Sequence, residues 1–205
     1  VRKLREVLKM PSSGNFSTQK AVSQHRNINF FNAHQENIKK IRNKNLNINK
    51  AIIGDSMVYR WQTVGKDSWS QYMENKGFVN LGIELDRIEN VLYRVYRDEM
   101  SNIDIQHQKI IVSIGSNNLH INNATEIVEG IRFLMHRIAD RQPSANLILL
   151  GIFPKSGFEE KVAEINVQLK NMADVEGWTF SNYPGQSLLD EKTGLINNKY
   201  FVDGV

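Results

Sequence analysis

The sequence contains no cysteine. That excludes disulfides and thiolate metal sites. It fits a reducing compartment and equally a cysteine-free bacterial exoprotein. No apolar run approaches the roughly 18 residues of a membrane span, and no secretory signal is visible at the N-terminus. Val1 stands where a start Met would be, so the expectation is a start trimmed or cut from a longer, multidomain parent, and localisation stays open. The Gly-x-Ser-x-Gly elbow, the phosphate-binding Walker loop, the dinucleotide fingerprint and the His-Glu-x-x-His zinc helix are all missing. Each absence removes the chemistry that depends on that spacing.

What remains is an ordinary globular composition of 205 residues, 40% hydrophobic and 23% charged. That length buries one good core, so one main domain is expected. The net charge is +4. Much of the excess sits in Val1–Lys9 (Arg2, Lys3, Arg5, Lys9) and in Lys39–Lys50. Both read as solvated helix or arm surface. Basic patches that bind nucleic acid interleave aromatics, and these do not, so no nucleic-acid partner is expected.

Residues 1–22 read as an N-terminal arm or linker, with Pro11-Ser12-Ser13-Gly14-Asn15 as the break before a domain over 23–205. Phe30–Asn43 has helical character. Apolar runs bounded by turn residues follow at Ala51–Gly54, Phe78–Gly82, Lys109–Gly115 and Asn146–Gly151, with a weaker one at Trp178–Asn182. Between them, Glu84–Met100, Ala124–Arg141 and Glu159–Glu176 repeat apolar residues with the helical period. Strands alternating with helices of this length form βαβ units. Near-continuous apolar strands are buried on both faces. The expected architecture is an α/β three-layer sandwich around a mostly parallel sheet of about five strands.

In such a sheet, ligands bind outside the carboxyl ends of the strands. Those ends carry Gly54-Asp55-Ser56, Asn80-Leu81-Gly82, Gly115-Ser116-Asn117-Asn118 and Gly151-Ile152-Phe153-Pro154. Ester hydrolysis needs a nucleophile, a base, an orienting group for the base and donors for the oxyanion. Ser56 is a candidate nucleophile, with its own backbone N–H facing the site. Gly82 lets a second backbone N–H approach closely, Asn117 carries an amide donor, and Asp203 is a carboxylate that can orient an imidazole. Each piece alone is common turn chemistry; their shared position at strand ends gives them weight.

These blocks, in this order, resemble the SGNH (GDSL-type) hydrolases, and within them the platelet-activating-factor acetylhydrolase-like branch. The resemblance covers about residues 23–205. It rests on Ile52–Val58, on Asn80–Ile83 with Asp86, Val91-Leu92 and Arg94, on Ile114–Asn118, and on Leu150–Pro154 followed by Asn166. It implies a flavodoxin-like fold and a serine esterase working through an acyl-enzyme on Ser56. Ser56, Gly82 and Asn117 form the oxyanion hole, and no cofactor or metal takes part. Asp203 begins an Asp-x-x-His block whose His is expected immediately after Val205. Asn118 stands where many relatives have Asp. Of the histidines present, His120 follows the Asn117 loop and is the candidate to border the pocket. His25 and His34 precede the first strand, His107 precedes the third strand at the opposite edge, and His136 sits in a helical pattern.

Tyr59, Trp61, Trp69 and Phe153 are candidate pocket walls or core residues. Aromatic walls suit a sugar ring and a short acyl pocket suits acetate, so the expected substrate is a short acyl ester, acetyl foremost, carried on carbohydrate or another small molecule; the resemblance alone also allows a lipid or lysophospholipid ester. Alternatives are an O-acyltransferase acting on a saccharide and a non-catalytic binding module on the same fold. Relatives of this branch dimerise, and the sequence locates no interface for a homodimer.

Overall fold

The computed structural model describes residues 15–24, 27–43, 48–100, 109–190, 192–197 and 199. Five strands form one sheet: β1 (Lys50–Gly54), β2 (Phe78–Gly82), β3 (Lys109–Ser113), β4 (Asn146–Leu150) and β5 (Thr179–Ser181). All neighbours are parallel, in the order β2-β1-β3-β4-β5. This is the flavodoxin-like α/β arrangement expected. Its chain direction across the sheet reverses between β1 and β3, and that switch point opens a crevice at the strand ends.

The helices are α1 (Ile28–Arg42), α2 (Ser56–Trp61), α3 (Lys66–Tyr72), α4 (Ile88–Arg94), α5 (Ala124–Arg141), α6 (Glu159–Glu176) and the single turn α7 (Tyr183–Gln186). The main core lies on one sheet face. There Ile53, Leu81, Val112 and Leu149 meet Val91 and Leu92 of α4, Ile131 and Leu134 of α5, and Ile165 and Leu169 of α6. Each such aliphatic side chain contributes roughly 1.5–3 kcal/mol on full burial. A smaller core on the other face joins Ile52 to Val58 of α2 and to Trp69 and Met73. α5 starts where the sequence says it should. The side chain of Asn123 accepts from the Glu126 N–H at 2.9 Å, and Glu126 accepts from the Asn123 N–H at 3.0 Å, a reciprocal cap.

The helix expected over Glu84–Met100 is shorter. Leu85 has φ 63°, so the chain turns before α4 starts. Asn118 then caps α4 from outside, its Oδ1 accepting from the Ile88 N–H at 3.0 Å. Past α4, Asp98 takes φ 76° and kinks the turn Val95–Glu99. Both departures bury a carboxylate, Asp86 before the helix and Glu99 after it. Of the segment read as an arm, residues 15–22 lie against the domain. Thr18, fully buried, donates to the Glu126 carbonyl at 2.7 Å, and the Val22 N–H donates to the Glu89 carbonyl at 3.0 Å. No helix of the described residues is long and apolar enough to cross a membrane.

Candidate active site

Ser56 is the first residue of α2, directly after β1, and is half-buried. The turn that presents it is held by Asp55. That carboxylate accepts from the Met57 N–H at 3.0 Å, capping α2, and from Ser116 Oγ at 2.7 Å. The second bond ties the loop after β3 to the Ser56 turn. Burial pushes the Asp55 carboxyl above its ordinary range; the Ser116 and Met57 hydrogen bonds pull against it.

Register brings the three strand ends level: Gly54 faces Gly82 on one side and Ser113 on the other. Gly54 and Gly82 are glycines because the backbones touch. A Cβ at Gly54 would lie 2.0 Å from the Ser113 carbonyl oxygen, and one at Gly82 would lie 2.3 Å from the Tyr59 nitrogen. Helix α2, which Ser56 begins, thus packs directly onto the end of β2. The Gly82 N–H donates to Asn80 Oδ1 at 2.9 Å, and Asn80 Nδ2 donates in turn to the Val58 carbonyl at 2.7 Å. This donor is therefore already engaged within its own strand end, a feature the motif does not announce.

Asn117 sits in the turn Ser116–Asn118 after β3. Its Nδ2 donates to the Asp86 carbonyl at 2.8 Å. A primary amide has two N–H bonds, so one remains beyond that contact. Asn118 is fully buried and structural. Besides capping α4, its Nδ2 donates to Glu89 Oε2 and Asn122 Oδ1, each at 3.0 Å. An amide can donate to Glu89 and accept from Ile88 at once, which a carboxylate at this position cannot do.

Asp203 lies outside the described residues, as do His25 and His107. His120 is exposed and packs edge-on against Phe158, with ring centroids 4.5 Å apart. His136 faces Glu176 at 3.2 Å and Trp178. His34 is buried, with Nδ1 2.8 Å from Glu99 Oε1. The aromatic wall divides. Phe153 lines a narrow cleft with Asp55, Met57, Ser116 and Ile152. Trp61 and Trp69 instead stack edge-to-face at 5.7 Å within the smaller core, because that sheet face has little else to bury. Asn166 braces the fourth strand end, accepting from the Ile152 N–H at 2.8 Å and donating to the Ile152 carbonyl at 2.9 Å.

Sequence reasoning passed over two residues at this edge. Asp55 belongs to Gly-Asp-Ser, and its place one residue before a helix is itself a cap signal. Arg94 was matched by spacing with no role; its one signal is a charge amid the apolar helix residues Val91, Leu92 and Val95. It proves fully buried and paired with Asp86 and Glu99. Burial drives the Asp86 carboxyl up to about 7 against the pull of Arg94.

A parallel α/β sheet with a Gly-Asp-Ser turn at its switch point defines the SGNH hydrolase fold. No protein-family model matches the chain. Among solved structures it is similar to a GDSL-like lipase from Bacteroides thetaiotaomicron, with a TM-score of 0.68 at 17% identity over 86% of this chain and 88% of that one. It is also similar to the OSK domain of Drosophila Oskar, with a TM-score of 0.54 at 17% identity over 72% and 70%. Among curated proteins it is 34% identical over 146 residues to platelet-activating factor acetylhydrolase IB subunit alpha2 of Rattus norvegicus, and 25% identical to subunit alpha1 of Homo sapiens. Each match covers 71% of this chain and 60% of the relative, so the chain spans about 60% of the length of these relatives. The chain thus shares the fold of GDSL-type hydrolases and is similar in sequence to platelet-activating factor acetylhydrolase subunits.

Proposed function

We propose that this protein is a serine esterase that removes short acyl groups, acetyl foremost, through an acyl-enzyme on Ser56. One observation carries the reading. The loops after β1, β2 and β3 are drawn to one point by the Ser116–Asp55 bond at 2.7 Å and the Asn117–Asp86 bond at 2.8 Å. Nucleophile and amide donor therefore belong to one braced edge.

In the reaction, Ser56 Oγ bonds to the ester carbonyl carbon and its proton passes to the imidazole of the His that should follow Val205, oriented by Asp203. The carbonyl electron pair moves onto oxygen. That oxyanion is met by the Ser56 N–H, the remaining Asn117 N–H and the Gly82 N–H, which releases Asn80 Oδ1 or shares itself between the two acceptors. Collapse expels the alcohol, which takes the proton from the imidazolium, and water then cleaves the acyl-enzyme by the same route.

Similarity to acetylhydrolase subunits favours a small acyl group. With Trp61 and Trp69 packed in the core, only Phe153 and Tyr59 are left to stack on a sugar, so the alcohol half is left to the assay. Nitrophenyl esters of increasing chain length, an acetylated saccharide and an acetyl glycerophospholipid should be compared in the full-length protein. Acetyl esters are expected to turn over fastest. Acetyl transfer to a saccharide in preference to water would instead identify an acyltransferase.

Asn117→Ala should lower turnover about 10²–10³-fold, the usual loss for one oxyanion donor. Its fold should remain, since the lost bond to Asp86 is worth only about 0.5–1.5 kcal/mol. Turnover near wild type in that variant removes Asn117 from the site. Full activity in Ser56→Ala, or no esterase activity at all in the full-length protein, removes the enzyme reading and leaves a binding module.

A further inference from the structure

We propose that Arg94 is a positioning residue for all three oxyanion donors, gripping from the buried side the chain just behind each one. This rests on the esterase reading above. The guanidinium is fully buried, and it makes four hydrogen bonds to oxygen and a further ion-pair contact with Asp86. Nη2 donates to the Gly54 carbonyl at 3.2 Å, two residues before Ser56. Nη1 donates to the Leu81 carbonyl at 2.9 Å, one residue before Gly82. Nε and Nη2 hold Asp86 Oδ2 at 2.9 and 2.7 Å. The backbone carbonyl of that same Asp86 accepts the Asn117 amide at 2.8 Å. Nη1 also pairs with Glu99 Oε2. One planar group thus touches the support of every donor.

The cluster continues outward. Glu99 Oε1 meets His34 Nδ1 at 2.8 Å, and Asp86 Oδ1 accepts from Gln24 Nε2 at 2.7 Å. α1 and the chain before it therefore hold the two carboxylates that hold Arg94.

Stability alone is a poor reason for this arrangement. Desolvating a buried ion pair costs so much that well-packed apolar replacements are often as stable or more so. What an apolar side chain cannot do is accept a fixed place between two strand-end carbonyls and a carboxylate. Nor can Lys, which keeps the charge but has three donors on one nitrogen instead of a rigid fork. Displacing oxyanion donors by a fraction of an ångström affects the transition state more than the bound ester, because donors are aimed at charge that develops only in reaction.

The test is Arg94→Lys in the full-length protein, assayed on 4-nitrophenyl acetate beside a melting curve. The expected result is a folded enzyme with kcat lowered about 10–100-fold, the scale of a small misplacement, and KM within about twofold of wild type by the same reasoning. Combined with Asn117→Ala, the loss should be smaller than the product of the two single losses, because part of the Arg94 effect runs through the Asn117 donor. A purely structural Arg94 would lower the melting temperature, leave kcat of the folded fraction unchanged and multiply independently with Asn117→Ala; that result overturns the proposal. If Arg94→Lys does not fold, Arg94→Gln with Glu99→Gln removes opposite charges together, and the same kcat loss at unchanged KM is required of it. The singles separate the two readings. A silent Asn117→Ala or Ser56→Ala defeats the site assignment and this proposal with it, whereas losses there beside a silent Arg94→Lys defeat this proposal alone.

Discussion

The two halves of the sheet's carboxyl edge are braced by different chemistry. Behind β1, β2 and β3 lies a buried ionic cluster of Arg94, Asp86, Glu99 and His34, none more than 3% exposed. Behind β4 and β5 lies a pair of neutral amides, Asn166 and Asn182. There Asn166 holds both backbone polar groups of Ile152 and reaches Asn182 Oδ1 at 3.2 Å. Both devices fix loops, but charge fixes them at higher stakes. Interactions in low dielectric are stronger, and an abandoned partner is correspondingly more costly. The charged brace stands behind Ser56, Gly82 and Asn117, the donors of the proposed oxyanion hole, a role that demands alignment to fractions of an ångström. The amide brace stands behind Gly151-Ile152-Phe153, which only shapes the wall of the cleft.

The comparison breaks most visibly at Glu99. Glu99→Ala leaves Arg94 with one carboxylate and His34 without its partner. It should destabilise the fold by about 3–5 kcal/mol, the cost of breaking a buried pair, read by urea unfolding. Asn166→Ala leaves the Ile152 N–H and carbonyl unsatisfied and should cost about 1–3 kcal/mol in the same experiment. Equal costs would abolish the distinction between the halves.

The smallest effect is at Asp55, which joins the halves of the β1–β3 crevice. Burial raises its carboxyl above 3.8, so the folded protein holds the proton more tightly than the unfolded chain does. The associated stability is fully present below the unfolded value and is lost as pH rises through the raised one. Asp55→Asn keeps an acceptor for the Met57 N–H but does not titrate. The melting temperature of wild type minus that of Asp55→Asn should therefore fall as pH is raised from about 4, the unfolded carboxyl range. A difference that grows with pH would show that the Ser116 and Met57 hydrogen bonds outweigh desolvation.

Much of the fold was legible because it is local. Five apolar runs became five strands, and the apolar period over Ala124–Arg141 became a helix with those same bounds. Glu84–Met100 misled because periodicity does not register a left-handed turn. Leu85 and Asp98 adopt one under tertiary demand, to carry Asp86 and Glu99 inward. Trp61 and Trp69 could be read either way, since a loop aromatic declares its size but not which surface will cover it. At the site, the residues of Gly-Asp-Ser, Gly82 and Gly-Ser-Asn-Asn could be named from order alone. Engagement of the Gly82 N–H by Asn80 could not, because a side chain folding back on its own strand leaves no mark on spacing.

The sequence by itself determined the element order, the parallel sheet and the blocks that meet at its carboxyl edge, since those follow from hydrophobic period and turn chemistry over a few residues. Only the tertiary structure decided what stands behind them. Gly54, Leu81, Asp86 and Glu99 lie up to 45 residues apart in the chain, and they become neighbours only once the strands are in register. Arg94 then reaches all four, its buried guanidinium bonding the oxygens that the register has brought together.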